Sequence, residues 1–327
     1  MKTIAIAGAT GAVGRQMLEC LKEQKIEGNI KLLASARSAG KEIDGYIVEE
    51  LNEQSFQGVD YVLGACENDI TKMWMPWAQQ AGCVVIDNSS AYRLDDNVPL
   101  VIPEINAQDI ANHHGIIANP NCSTIIALMA LHDLNDLYHI ENVVCTTFQA
   151  VSGAGVKGIR DLERELADEH AQPEAFAYPI AFNVIPQIGG FDESGITSEE
   201  WKMQNEGRKI LHSPNLNVNC TCVRVPVWRS HSESILVKTT QPVDLDELKE
   251  RLAHSKGVVL RDDPKHNIYP MPIDTTNQDD VFVGRLRYDL ADPEKKTIGL
   301  FCCGDQIRKG AASNAVQILA ELIQLEK

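Results

Sequence analysis

TIAIAGATGAVG, from Thr3 to Gly14, joins an apolar strand to a helix through three glycines. Thr3 to Ala7 is strand-like, and beyond the glycines Val13, Met17, Cys20 and Leu21 recur at helical spacing. Gly8 permits a tight turn, Gly11 lets backbone approach a pyrophosphate, and Gly14 allows helix and strand to pack closely. The helix start supplies unpaired N–H groups and a positive dipole end for phosphates. In this strand-loop-helix setting the glycines form a dinucleotide-binding loop.

Outward from the loop, Ile30 to Ala34 is a second strand, with further strands expected at Tyr61 to Leu63, Cys83 to Ile86 and Gly115 to Ala118, and a helix at Asp69 to Gln80. Such alternation implies right-handed crossovers and a mostly parallel sheet covered on both faces. The second strand runs into SARSAGK, Ser35 to Lys41. An NAD site usually carries an acid here for the ribose 2′-hydroxyl. Ser35, Arg37, Ser38 and Lys41 stand there instead, and a guanidinium with hydroxyls suits a 2′-phosphate, so NADP is the expected cofactor.

The texture changes beyond about residue 125. The apolar helix STIIALMALHDL (123–134) is followed by longer strands: NVVCTTFQAV, NVNCTCVRVPV, ESILVKTTQPV, VFVGRLRYDL and KTIGLFCC. These predict an antiparallel or mixed sheet, one face packed and one available to a partner. Helices are expected near Gly155 to Glu169, Ser198 to Leu211 and Gly310 to Leu325, and the best boundary falls at Asn119 to Cys122, where Pro120 punctuates the chain.

The 327 residues suit about two domains. Thirty Lys+Arg against 46 Asp+Glu give a formal charge of −16, which works against binding nucleic acid or an anionic membrane. An anionic substrate therefore requires a local cluster of Arg and Lys. No apolar run approaches bilayer length, the N-terminus lacks the regions of a signal peptide, and nine irregularly spaced cysteines suggest reduced thiols in a cytoplasmic protein.

Asn119-Pro120-Asn121-Cys122-Ser123-Thr124 leads into the apolar helix, which puts the Cys122 sulfur where a helix N-terminus favours thiolate. Cys20, Cys66, Cys83, Cys145, Cys220, Cys222, Cys302 and Cys303 lie in or beside apolar stretches and are expected as small core hydrophobes. Cys220 and Cys222 share a strand face, but no second pair stands at zinc spacing, so no metal is expected. A thiolate nucleophile needs a proton partner. His231 stands out in RVPVWRSHSES beside Arg224 and Arg229, while the other eight histidines fall in polar or helix-surface contexts expected to be solvated.

Taken in order, GATGAVG, SARSAGK, NSSAYR, VPLVIPEIN, NPNCSTI, QAVSGAG, FNVIPQI, EEWK, RVPVWRSHSES, DVFVGRLR and GAASNAVQ resemble the aspartate-β-semialdehyde dehydrogenase family along nearly the whole chain. The resemblance implies an α/β fold with an N-terminal Rossmann-type nucleotide-binding domain, 1–121 and 305–327, and an α+β catalytic and dimerisation domain with a mixed sheet, 122–304. It implies Cys122 as acyl-forming nucleophile, His231 as acid/base catalyst and Gln149 as a substrate contact. Arg224 would pair with the substrate α-carboxylate; Arg93, Asn121 and Lys202 would hold phosphate, with Glu199 beside Lys202. Thr10, Gly11, Ala12, Val13, Arg37, Ser38, Ser152, Gly153 and Asn314 would touch NADP, and the protein would be a homodimer.

The implied chemistry is thiolate attack on L-aspartate 4-semialdehyde, hydride transfer to the nicotinamide, and phosphate attack on the resulting Cys122 thioester to release L-4-aspartyl phosphate, run in reverse for lysine, threonine and methionine biosynthesis. On residue type alone an ordinary ion pair accounts for Glu199 and Lys202 equally well. Two departures stand out. Leu63-Gly64-Ala65-Cys66-Glu67-Asn68 replaces the family's glycine- and serine-rich turn, and the segment from Glu169 to Tyr178 is short beside the dimer-forming insert of many relatives. N-acetylglutamyl-phosphate reductase shares the chemistry and is the competing enzyme. A non-catalytic nucleotide-binding paralogue would not require Cys122, Gln149 and His231 together.

Overall fold

The computed structural model describes residues 1–168 and 170–326. The chain falls into two units, Met1–Asn121 with Ala311–Lys327, and Cys122–Gly310.

In the first unit β1 (Thr3–Ala7) leads through the glycine loop to α1 (Ala12–Glu23), then β2 (Asn29–Ala34), β3 (Glu42–Ile43), β4 (Tyr46–Glu50), β5 (Tyr61–Gly64), α2 (Asn68–Gln80), β6 (Val84–Asp87), α3 (Pro103–Asn106) and β7 (Ile116–Ala118). The sheet order is β3-β4-β2-β1-β5-β6-β7. Every pairing is parallel except β3 with β4, an edge hairpin that sequence periodicity leaves invisible. The hairpin turns at Asp44 and Gly45, both at positive φ, and its strands alternate too weakly to announce themselves. One apolar cluster holds this unit together. It joins Ile4, Ile6 and Leu32 of the sheet to Met17 and Leu21 of α1, and to Val316, Leu319 and Leu322 of the helix Ser313–Leu325. Each such fully buried side chain contributes about 1.5–3 kcal/mol.

The second unit begins with α4 (Cys122–Tyr138), nearly all of it buried, and continues through β8 (Ile140–Ala150), α5 (Gly155–Ala167), α6 (Ser198–Ile210), β9 (Asn217–Val225), β10 (His231–Thr239), α7 (Leu245–Ala253), β11 (Val258–Leu260), α8 (Pro272–Thr275), β12 (Val281–Tyr288) and β13 (Thr297–Gly304). The expected C-terminal end of α5 at Glu169 lies outside the described residues. The sheet is mixed, in the order β11-β12-β13-β10-β8-β9. β8 pairs with β9 in parallel and with β10 antiparallel, so three neighbouring strands carry chemistry to one edge. Their alternation puts Cys145, Thr147 and Gln149 on a buried face with Cys222, Arg224, His231 and Glu233. On the opposite face Val144 and Leu236, register partners, stay exposed.

The chain returns to the first unit at Ala311, later than residue 305. Asp305 is the reason. Its buried carboxylate accepts N–H bonds from Asn277, Ile307 and Arg308 and pairs with Arg229, while its carbonyl accepts from Gly310 N–H. Those bonds keep 305–310 with the second unit.

Candidate active site

In the first unit the glycine loop has the cradle shape its spacing predicts. Gly8 has φ +89, and a Cβ there would meet Ala65 O at 2.6 Å; one at Gly14 would stand 2.4 Å from Gly8 O. Only glycine fits either place. Gly11 caps α1 with no side-chain bond, and no acid lies in the first turn, so Thr10, Ala12 and Val13 border N–H groups open to a phosphate. Ala65 and Cys66 abut Gly8, so the departing loop forms part of this wall; Cys66 is only partly buried, and burial raises its pKa to about 11. Ser35, Arg37 and Ser38 follow β2 in a short 3₁₀ turn, with Arg37 exposed.

Asn119, which sequence reasoning passed over, organises the end of this unit. It is fully buried, and its carbonyl accepts from Arg93 Nε at 2.9 Å. Its Oδ1 accepts from Asn314 Nδ2 at 2.7 Å, and its amide donates to Asn88 Oδ1 at 2.8 Å. Arg93 also donates to Asn88 O at 2.7 Å, and Asn314 to Val101 O at 3.0 Å. Arg93, Asn121 and Asn314 are all buried.

The second unit gathers Cys122, Gln149, Gly153, Glu199, Lys202, Arg224 and His231. Cys122 is the first residue of α4, where aligned peptide dipoles favour an anionic sulfur. Gly310 presses against it: a Cβ there would stand 2.9 Å from Cys122 Cβ. Gln149 and Arg224 are register partners at the ends of β8 and β9. Arg224 is buried and donates from Nη1 to Ala150 O at 2.6 Å. Burial lowers its pKa, and its interactions with Cys122 and Glu199 act the other way.

His231 opens β10 and is fully buried. Ala150 N–H donates to its Nδ1 at 3.0 Å, so that nitrogen presents a lone pair and a neutral ring must carry its proton on Nε2. Nε2 has no partner. Burial, then the Arg224 charge, drive the pKa down to about 3, so the ring is neutral at physiological pH. Gly153 explains how a guanidinium and a neutral imidazole fit together beside the backbone here: a Cβ at 153 would meet Arg224 Nη1 at 2.8 Å, His231 Cε1 at 3.1 Å and Nε2 at 3.2 Å. Ser152, next to it, is tied to Trp228 O and accepts from Gln306 Nε2 at 2.5 Å.

Thr197 starts α6 through a capping box with Glu200, whose carboxylate also accepts Cys222 N–H at 3.0 Å and so fastens the helix to β9. That anchorage aims Glu199 and Lys202 inward. Lys202 Nζ lies 2.9 Å from Glu199, and Glu199 Oε1 accepts from Gln149 Nε2 at 3.4 Å. Glu199 thus links the ammonium to the Gln149 amide, more than a surface pair does.

Glu233 lies two residues beyond His231 on the same strand face, a period-2 signal the sequence held but chemistry alone did not single out. It is fully buried; Oε2 accepts from Cys145 Sγ at 3.8 Å, Oε1 has no hydrogen-bond partner among the described residues, and burial raises its pKa well above the carboxylate range. Three expectations are corrected. Cys66, just beyond β5, and Cys220, midway along β9, are only partly buried rather than core residues. His132 is buried rather than solvated, with Nδ1 against the carbonyls of Leu128 and Met129 in its own helix. No disulfide forms among the nine cysteines, and no metal-holding cluster occurs among the described residues.

A glycine-cradle nucleotide unit joined to a unit with a helix-borne thiol, an imidazole and an arginine defines a thiol-dependent dehydrogenase. Two family models match the chain: the semialdehyde dehydrogenase NAD binding domain over residues 3–113 and the semialdehyde dehydrogenase dimerisation domain over 128–309. The aspartate-semialdehyde dehydrogenase of Bacillus subtilis is 42% identical, covering 98% of this chain and 97% of its own; that of Aquifex aeolicus is 45% identical over 99% and 98%. The crystal structure of aspartate semialdehyde dehydrogenase II from Vibrio cholerae has a TM-score of 0.94 at 41% identity, covering 99% of both chains. A second structure of that enzyme, complexed with ASA, has the same TM-score and identity, covering 99% and 98%. The chain belongs to the aspartate-semialdehyde dehydrogenase family.

Proposed function

We propose that this protein is an NADP-dependent aspartate-semialdehyde dehydrogenase, interconverting L-4-aspartyl phosphate and L-aspartate 4-semialdehyde through a thioester on Cys122. The observation that carries the reading is Cys122 at the head of α4 within the electrostatic reach of Arg224, together with a neutral His231 whose one proton is fixed on Nε2.

The glycine cradle and the open first turn of α1 fit a dinucleotide, with Gly8, Thr10, Gly11, Ala12, Val13 and Gly14 at the pyrophosphate. Ser35, Arg37 and Ser38 suit the 2′-phosphate of NADP; Ser152, Gly153 and Asn314 remain contacts that the family resemblance supplies. When bound, the nicotinamide exchanges hydride with the substrate carbon.

The protein's own groups do the rest. The Cys122 sulfur bonds to the carbonyl carbon, and the carbonyl oxygen takes up the negative charge. His231 Nε2–H serves that oxygen as a hydrogen-bond donor. Burial and the Arg224 charge hold the resting ring neutral, and with Nδ1 occupied its proton sits on Nε2. The acid/base role proposed for His231 starts from that neutral state, with Nε2–H as the donor. Arg224 binds the α-carboxylate through its fork. Gln149, held by Glu199, orients the substrate, and Lys202 is the cation of this unit proposed for the phosphate that cleaves the thioester and restores the Cys122 thiolate.

The open sheet face with Val144 and Leu236 supports a homodimer. Among the described residues no helix is long and apolar enough to cross a membrane.

Purified protein given the semialdehyde, phosphate and NADP is expected to form NADPH, followed at 340 nm. C122A is expected to lose turnover while still binding NADP. Persisting turnover in C122A, or preference for N-acetylglutamate semialdehyde at equal concentration, overturns the proposal.

A further inference from the structure

A strap of chain crosses the second unit beside Arg224, and its attachment is built almost wholly from buried carboxylates on one face of α5. Asp161, fully buried, accepts the N–H groups of Glu174 (3.0 and 2.9 Å to its two oxygens) and Ala175 (2.6 Å). One turn on, Glu165 accepts those of Ile180 at 2.6 Å and Ala181 at 2.7 Å. Arg164 completes the clasp by bonding to Asp161 at 2.9 Å and Gln172 O at 2.8 Å. Such bonds to charged acceptors are stronger than neutral ones. They hold backbone, so they fix the path of residues 174–181 whatever side chains those residues carry.

The far end of the strap is held by Arg224 itself. Ile185 and Arg224 exchange both backbone bonds, at 3.0 and 2.8 Å. Between the two anchorages the Phe176 ring lies 5.6 Å from the Arg224 guanidinium carbon. Room for it is specified from below: a Cβ at Gly158, on the same α5 face, would stand 3.0 Å from Phe176 Cζ. Ile180, Ile185, Leu162 and Val151 form the apolar cluster on which the ring rests.

Arg224 needs such a partner. Its charge is buried, burial disfavours it, and Nη1 is committed to Ala150 O. An aromatic face stabilises a desolvated cation without taking up its N–H groups. The rest of the guanidinium fork therefore stays available for a ligand. We propose that Phe176, carried on this strap, is a positioning residue for substrate recognition: its ring seats the Arg224 guanidinium in the orientation that receives the substrate carboxylate. The proposal rests on the reading that Arg224 binds that carboxylate.

The test compares F176L, which keeps apolar bulk and loses the π face, with F176Y, which keeps both, and sets each against R224A. F176L is expected to raise KM for the semialdehyde about three- to tenfold, with kcat and the KM for NADP within about twofold of wild type. F176Y is expected to restore the semialdehyde KM, and in an R224A background F176L should add no further loss, since Phe176 acts only through Arg224. A packing role would instead lower the melting temperature and affect all kinetic constants together. If R224A raises the semialdehyde KM but F176L does not, or if F176Y is as impaired as F176L, the Phe176 role is overturned and Arg224 keeps its own. If R224A leaves that KM unchanged, the Arg224 reading falls and takes the proposal with it.

Discussion

Gly153→Ala adds one methyl group and tests how tightly the site is assembled. Gly153 has no positive φ, so alanine brings no backbone strain. The added carbon would lie 2.8 Å from Arg224 Nη1, against a comfortable separation of about 3.5 Å, so the guanidinium must retreat by roughly half an ångström or more. Its bond to Ala150 O restrains that movement. His231 is held by Ala150 N–H and meets the same carbon at 3.1–3.2 Å, so it has no free direction either. Overpacking of this kind costs about 1–3 kcal/mol, and displacing reacting groups by up to 1 Å costs as much as about 10²-fold in rate. We expect kcat/KM for the semialdehyde to fall about 10- to 100-fold, or about 1.4–2.7 kcal/mol. Gly153 is also a proposed NADP contact, so the dissociation constant for NADP is measured in parallel by fluorescence titration and should change by less than kcat/KM does. Gly190→Ala, where an added Cβ would meet nothing within 4 Å, is the matched control. Wild-type kcat/KM in Gly153→Ala, or a loss confined to NADP affinity, would refute the steric reasoning.

Two further outcomes follow from buried and exposed charge. Glu233 has a folded pKa raised well above its unfolded value of 4.5. The protonated form's contribution is therefore intact below about pH 4.5 and is lost as pH rises from there toward the folded value, because the unfolded chain ionises first, with a slope of at most about 1.4 kcal/mol per pH unit. Glu233→Gln does not titrate, so urea unfolding at pH 5 and pH 8 should show the variant gaining on wild type at the higher pH; a difference that does not change with pH would show that Glu233 is ionised in the folded protein. Arg37→Ala should raise KM for NADP by about tenfold or more and leave that for NAD nearly unchanged, as expected when a charge-assisted phosphate contact is removed. Equal effects on both cofactors would remove Arg37 from the 2′-phosphate.

The placement of the candidate site's residues on their elements could be read one residue at a time because that geometry is local. Strand period 2 carries Gln149, Arg224 and His231 to their faces, and helix period 3.6 puts Lys202 one turn from Glu199. Cys122 at the head of α4 is a consequence of Pro120 and the apolar run that follows. What escaped was non-local or weakly patterned. The β3–β4 hairpin has too few alternating residues to show periodicity. His132 sits in a helix whose buried face runs nearly all the way round, so a polar residue there looks like a surface one. Phe176 is a loop residue between two anchorages, and nothing in its neighbours in sequence names Arg224.

The sequence by itself determined the strand-glycine-helix cradle, pointed to a two-part division near Asn119 to Cys122, and supplied the residue types of the proposed site, because each rests on spacing within a few positions or on side-chain chemistry. Tertiary structure alone decided that Ala150 N–H would fix the His231 proton on Nε2, that Gly153 would leave room for Arg224 and His231 together, and that Asp305 would hold 305–310 in the second unit. Those outcomes depend on which backbone groups meet across strands far apart in the chain. Hydrogen bonds and van der Waals contacts act only over a few ångströms, so no local pattern records them before the sheet has formed.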